Sequence, residues 1–162
     1  MNKQDALSEK VKSLWTVLDS LREDTAAGRT TVRLQHPGLG FHVDTVAAES
    51  LSEGVHSIVP HNSLDQWNAA AVKWLQQNMR TFVMEDCLNP WDSAVAPEQE
   101  VIETYGIRSE MVAPVVSHGD LVGWVSVHYT KGPRSWTEAE IRRIEAACEQ
   151  VREVMEGWPL SD

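Results

Sequence analysis

The sequence of 162 residues predicts an α+β fold in which a mainly antiparallel sheet carries one helix before it and one after it. Three observations predict this. Leu7, Val11, Leu14, Leu18 and Leu21 recur at steps of four and three with charged residues between them, the pattern of an amphipathic helix. Residues 110–117 and 121–130 are two apolar runs joined by His118-Gly119-Asp120, a connection tight enough for a hairpin whose glycine takes positive φ. Residues 136–141 then hold a complete helix start: Thr137 caps, Glu140 reaches back to its amide, and Trp136 can pack on Ile141.

The remaining elements follow in order. The first helix occupies residues 1–22. After Gly28, residues 30–35 alternate with period two, residues 36–40 turn through Pro37, and residues 41–48 extend again, which reads as a hairpin. A simple register for it pairs Leu34 with Val43 and Arg33 with Asp44. Val32, Leu34, Val43 and Thr45 then face the terminal helices, and Thr31, Arg33, Gln35, His42 and Asp44 face the other way. Ser63 or Asp65 can cap a helix with Leu64, Trp67, Ala71, Trp74 and Asn78 on one face, ending before Arg80. Residues 81–84 form a short strand and residues 85–96, with Pro90, a loop. A brief helix runs from Pro97 to Tyr105 and stops at Gly106. The last helix, residues 137–156, carries Ile141, Ile144, Cys148, Val151 and Met155 on one stripe and ends at Gly157 and Pro159.

Bulk properties narrow the function. The length suits one domain, residues 1–162, and no stretch approaches the ~20 apolar residues that span a bilayer. The start, Met1-Asn2-Lys3-Gln4-Asp5, lacks the apolar core of a secretion signal, so a cytoplasmic location is expected. A formal net charge of −10 repels phosphate backbones and argues against nucleic acid as a partner. Two cysteines without a CxxC pair, and six histidines without an HxH or HxxxH pair, point to neither a disulfide scaffold nor a metal site. No Gly-rich phosphate loop is present, and no cofactor is indicated. The excess is in tryptophan, seven against two Phe and two Tyr, a residue that suits pockets and interfaces.

The run Glu110-Met-Val-Ala-Pro-Val-Val-Ser-His-Gly-Asp-Leu-Val-Gly-Trp-Val-Ser-Val-His128, with Pro133-Arg-Ser-Trp-Thr137 leading into the last helix, resembles the C-terminal half of GAF domains. The resemblance implies a five- or six-stranded sheet with both terminal helices on one face and a ligand cavity on the other. Members of that family bind cyclic nucleotides, bilins, haem or small metabolites, and others only dimerise. Some related enzymes reduce free methionine sulfoxide with loop cysteines. Their cysteine pattern is not matched here, since His56 follows Gly54-Val55 where a cysteine would stand.

Fold analogy does not choose a chemistry, so candidates come from residues. Arg33 can anchor a carboxylate with Asp44 orienting it, or the two can form an exposed pair worth only ~0–1 kcal/mol. On the strand from Leu121, the set Val122, Trp124, Ser126 and His128 mixes apolar and hydrogen-bonding groups as a pocket requires. Trp67 and Trp74 can roof the cavity with Tyr105 as a further wall, or serve as ordinary core. Cys87, beside Glu85 and Asp86, is expected to have a raised pKa and no reactivity. These residues are consistent with a binding module for a small, anionic or aromatic metabolite. Two alternatives stand beside it: a small enzyme with His128 or Asp44 as base, and a homodimerisation unit pairing the terminal helices in a four-helix bundle.

Overall fold

A computed structural model describes residues 3–61 and 65–155. The expected caps and ends at residues 62–64 and beyond residue 155 lie outside that range. The helices are α1 (Lys3–Thr25), α2 (Ala70–Asn78), α3 (Gln99–Tyr105) and α4 (Glu138–Val154). The strands are β1 (Arg29–Leu34), β2 (Ala48–Leu51), β3 (Phe82–Met84), β4 (Ser109–Ser117) and β5 (Asp120–Tyr129). They form one antiparallel five-stranded sheet in the order β2-β1-β5-β4-β3.

The helix stripes explain one layer. Leu14, Leu18 and Leu21 of α1 and Ile144, Ala147 and Val151 of α4 are fully buried in one core with Val32, Met111, Ala113, Val125 and Val127 of the sheet. Each such side chain contributes roughly 1.5–3 kcal/mol by leaving water. The stripes that suggested a four-helix dimer are therefore occupied within this chain. Helix α4 starts as expected: Thr137 Oγ1 accepts from the Glu140 amide at 3.1 Å and Glu140 accepts from the Thr137 amide at 3.0 Å. Helix α1 runs one turn past the expected end at residue 22. Thr25 closes that turn, its hydroxyl donating to the Leu21 carbonyl at 2.8 Å.

The first hairpin differs from expectation. His36 and Phe41 form a lone bridge around a 3-10 turn at Pro37–Leu39, and β1 pairs instead with residues 48–51, Val32 opposite Ala48 and Thr31 opposite Glu49. Pro37 lacks an N–H and presets the turn, while side chains supply bonds that a ladder would have made. His36 Nδ1 accepts from the Leu39 amide and Gln35 Oε1 from the Val43 amide. Arg33 and Asp44 are thus not cross-strand partners. Val43, expected against the terminal helices, joins the opposite core with Ile58, Val72 and Phe82.

A second correction lies in β5. Val115 pairs with Gly123 but Val116 with Leu121, so Val122 is a bulge residue and the alternation shifts by one. Val122 packs on the terminal-helix side and Leu121 on the other, the reverse of the expected sets. The third is Trp67, which sits on a separate 3-10 turn at Gln66–Asn68 and not on one helix with Trp74; the buried residues of α2 are Val72 and Leu75. The β4–β5 turn has positive φ at both His118 and Gly119, as a two-residue primed turn requires. Among the described residues, no helix is long and apolar enough to cross a membrane.

Gly123 marks the tightest strand contact, because a Cβ there would lie 2.2 Å from the Arg33 carbonyl oxygen. Substitution Gly123→Ala is expected to destabilise the domain by at least ~2 kcal/mol in urea unfolding, through forced separation of β1 and β5.

Candidate functional site

The pleat carries polar side chains from three strands onto the face opposite the terminal helices. Cross-strand rows place Arg29 opposite His128 and His128 opposite Glu110, then Thr31 beside Ser126 and Val112, then Arg33 beside Trp124 and Pro114. This face, α2 and α3 line a half-open cavity of about 60 Å³. Its apolar wall includes Ile58, Val72, Val101, Ile107, Val112 and Trp124, and its polar wall Thr31, Arg33, Gln66, Tyr105, Glu110, Ser126 and His128.

Every residue of β1 is buried although two are arginines. Arg29 is wholly inaccessible and donates to the Tyr105 carbonyl at 2.9 Å, the His56 carbonyl at 2.8 Å and His128 Nδ1 at 3.0 Å. Arg33 donates to the Val43 carbonyl at 2.9 Å and the Tyr105 hydroxyl at 3.2 Å. All these acceptors are neutral. Burial lowers both guanidinium pKa values, offset in part for Arg29 by Glu49 and Tyr105 and for Arg33 by Tyr105, Asp44 and Glu49. A guanidinium nonetheless stays charged.

Because Arg29 can only donate, His128 Nδ1 must accept, and the neutral ring carries its proton on Nε2. Nε2 lies 3.9 Å from Glu110 Oε2, beyond direct hydrogen bonding. Burial, then the charges of Arg29 and Arg33, hold the His128 pKa well below 6.5. Burial likewise pushes the Glu110 carboxyl up to about 7. The Tyr105 ring stacks on His128, and its hydroxyl accepts from both Arg33 and Gln66 Nε2.

Arg33, Tyr105, Trp124, Ser126 and His128, singled out from sequence, all line the cavity. Three others do not. Asp44 is exposed, and its carboxylate accepts from the Gln66 amide at 3.1 Å, which fixes the start of the 3-10 turn. Trp67 stands behind the wall with its ring edge-on to Trp124 at 5.4 Å. Trp74 packs on Phe82 at 5.5 Å, with the Arg80 guanidinium over its ring. Thr31, placed on this face from sequence, lines the cavity too; sequence reasoning missed Arg29, Gln66 and Glu110. Glu110 had a signal: it is a lone carboxylate in phase with Val112 on an otherwise apolar strand. Cys87 is buried and its pKa is raised, by burial first and then by Glu110 and Asp86, so its neighbour in sequence Glu85 is not the cause.

The chain belongs to the GAF family: the family model described as GAF domain matches residues 12–154. Solved structures share the fold. The blue-light absorbing form of the Thermosynechococcus elongatus PixJ GAF domain aligns with TM-score 0.68 at 20% identity, over 92% of this chain and 86% of that one. A phycocyanobilin-bound GAF domain from a cyanobacterial phytochrome gives 0.70 at 17%, over 97% and 95%. The chromophore-binding domain of the bacteriophytochrome RpBphP3 from R. palustris gives 0.70 at 15%, over 96% of this chain and 60% of that one. At such identities the likeness establishes the fold. A search of curated proteins finds no match.

The two buried titrating groups act on stability in opposite directions. Glu110, raised from 4.5 to about 7, contributes stability that is full below 4.5 and lost as pH rises through 7. His128, depressed from 6.5, contributes stability present above 6.5 and lost as pH falls through its folded value. Glu110→Gln should therefore flatten the fall in urea midpoint between pH 5 and pH 8 and leave the acid-side loss in place.

Proposed function

We propose that this chain is a ligand-binding GAF domain that holds a small organic molecule in the sheet cavity, its anionic group on Arg33 and its apolar or aromatic body on Trp124. The observation that carries this reading is a pair of buried guanidinium groups, Arg29 and Arg33, hydrogen-bonded only to neutral acceptors among the described residues. Buried charges are ordinarily paired, and an anion entering beside Arg33 would supply the missing partner. Apolar walls with a few placed polar groups are what small-molecule sites require.

The phycocyanobilin-bound neighbour supports enclosure of an organic guest by this fold. The guest favoured here is not thioether-linked. The chain has two cysteines, both buried and neither lining the cavity; Cys148 lies in the core under the terminal helices.

Thermal unfolding in the presence of a panel of small carboxylates and aromatic acids tests the reading. At a ligand concentration one hundred times Kd, the stabilisation should be about 2.7 kcal/mol. It should vanish in Arg33→Ala and weaken in Arg33→Lys, which keeps the charge but loses the fork. A panel that leaves the wild-type transition unmoved refutes the proposal.

A further inference from the structure

Glu110 is not explained by a site that binds only an anion. Its side chain is buried, lines the cavity, and among the described residues makes no hydrogen bond; His128 Nε2 stands 3.9 Å from its Oε2. The His128 ring stands between this carboxyl and Arg29, since Nδ1 is taken by the guanidinium. The carboxyl therefore has no cation bonded to it, although cations lie one side chain away. Its carboxyl opens on the cavity, where a donor group of a guest would meet it.

The Arg33 end has the opposite character. The Tyr105 hydroxyl already accepts from Arg33 Nη2 and Gln66 Nε2, which fills both lone pairs and turns its own O–H towards a further acceptor. Arg33 and Tyr105 thus present donors, and Glu110 presents an acceptor. Four residues of β5 separate Trp124, opposite Arg33, from His128, opposite Glu110. At ~3.3 Å per residue the rows are about 13 Å apart, less the reach of the side chains that lean into the cavity.

Resting on the binding function above, we propose that the ligand is a small aminocarboxylic acid. Its carboxylate meets Arg33 and Tyr105, and its ammonium, several bonds away, meets Glu110. The titratable groups beside Glu110 are His128 on β5, with Arg29 of β1 behind it, and Cys87 after β3; Tyr105 of α3 stacks on the His128 ring. His128 stays neutral, so an incoming ammonium replaces the proton on Glu110 and binding strengthens as pH rises towards and past neutrality.

Three probes sharing one carbon skeleton separate the two contacts: 4-aminobutyrate, butyrate and propylamine, titrated into the full chain by NMR with isothermal calorimetry. The expected result is that 4-aminobutyrate binds at least tenfold tighter than either of the others. Glu110→Gln should bring its affinity down to that of butyrate. In the wild-type protein, the affinity for 4-aminobutyrate should rise severalfold between pH 5.5 and pH 7.5 while that for butyrate does not, a readout that needs no variant. Butyrate binding as tightly as 4-aminobutyrate, or a flat pH profile, overturns the inference and leaves the anion site at Arg33 intact. Binding of aromatic acids without 4-aminobutyrate does the same. Failure of every carboxylate removes both.

Discussion

The cavity side of this domain depends on the burial of one guanidinium. Arg29 cannot shed its charge, and placing it in the interior costs several kcal/mol unless each donor finds a well-aimed acceptor. Its Nη acceptors come from three places, the last carbonyl of α3, the carbonyl of His56 in the connection after β2, and the imidazole of His128 on β5, while Nε has no partner among the described residues. These segments are far apart in sequence and are brought to one point by it. The orientation of Tyr105 follows, because the same residue whose carbonyl meets Arg29 offers its hydroxyl to Arg33. So does the protonation of His128, since the accepting nitrogen leaves the proton on the one that faces Glu110. A purely apolar core would hold α3 against the sheet less selectively, because hydrophobic contact has no direction.

The sheet divides the labour between its two faces. On one, Val32, Val125, Val127, Met111 and Ala113 meet the stripes of α1 and α4 and make an ordinary packed layer. On the other, arginine, threonine, serine, histidine and glutamate side chains of the same strands stand among Val112, Pro114 and Trp124. Period-two alternation is what lets one set of strands serve both ends: an apolar layer packs on the first face, and polar side chains are held in place on the second. The sheet edge beyond β3 is covered in turn by Trp91, whose indole N–H donates to the Val83 carbonyl at 2.9 Å. That contact uses one of the seven tryptophans for edge protection and not for a pocket.

Two side chains with opposite pKa displacement sit in the same row without a direct bond. Burial raises the acid and lowers the base, so near neutrality both tend towards their uncharged forms, and a polar cavity is kept without a fixed ion pair. Such a wall can take a charged guest at one end and adjust its own protonation at the other. Neighbours at 15–20% identity share the backbone but not this constellation by necessity, since fold similarity places elements and leaves side-chain chemistry open.

Much was legible in one dimension. The stripes of α1 and α4, the capping box at Thr137 and Glu140, the tight turn at Gly119 and the helix stop at Gly106 all rest on contacts within a few residues, so local text suffices for them. The alternation of β1 and most of β5 likewise revealed which of their side chains share a face, and with it Arg33, Trp124, Ser126 and His128. What tertiary structure alone decided were the non-local pairings. The partner of β1 lies at residues 48–51 because Pro37, His36 and Gln35 turn the intervening chain into a bonded loop, and the bulge at Val122 reverses two side chains that simple alternation had assigned. Whether an arginine or a glutamate on a strand is exposed or buried depends on what other elements cover it. Arg29 therefore became visible only where the end of α3 and the loop around His56 meet it.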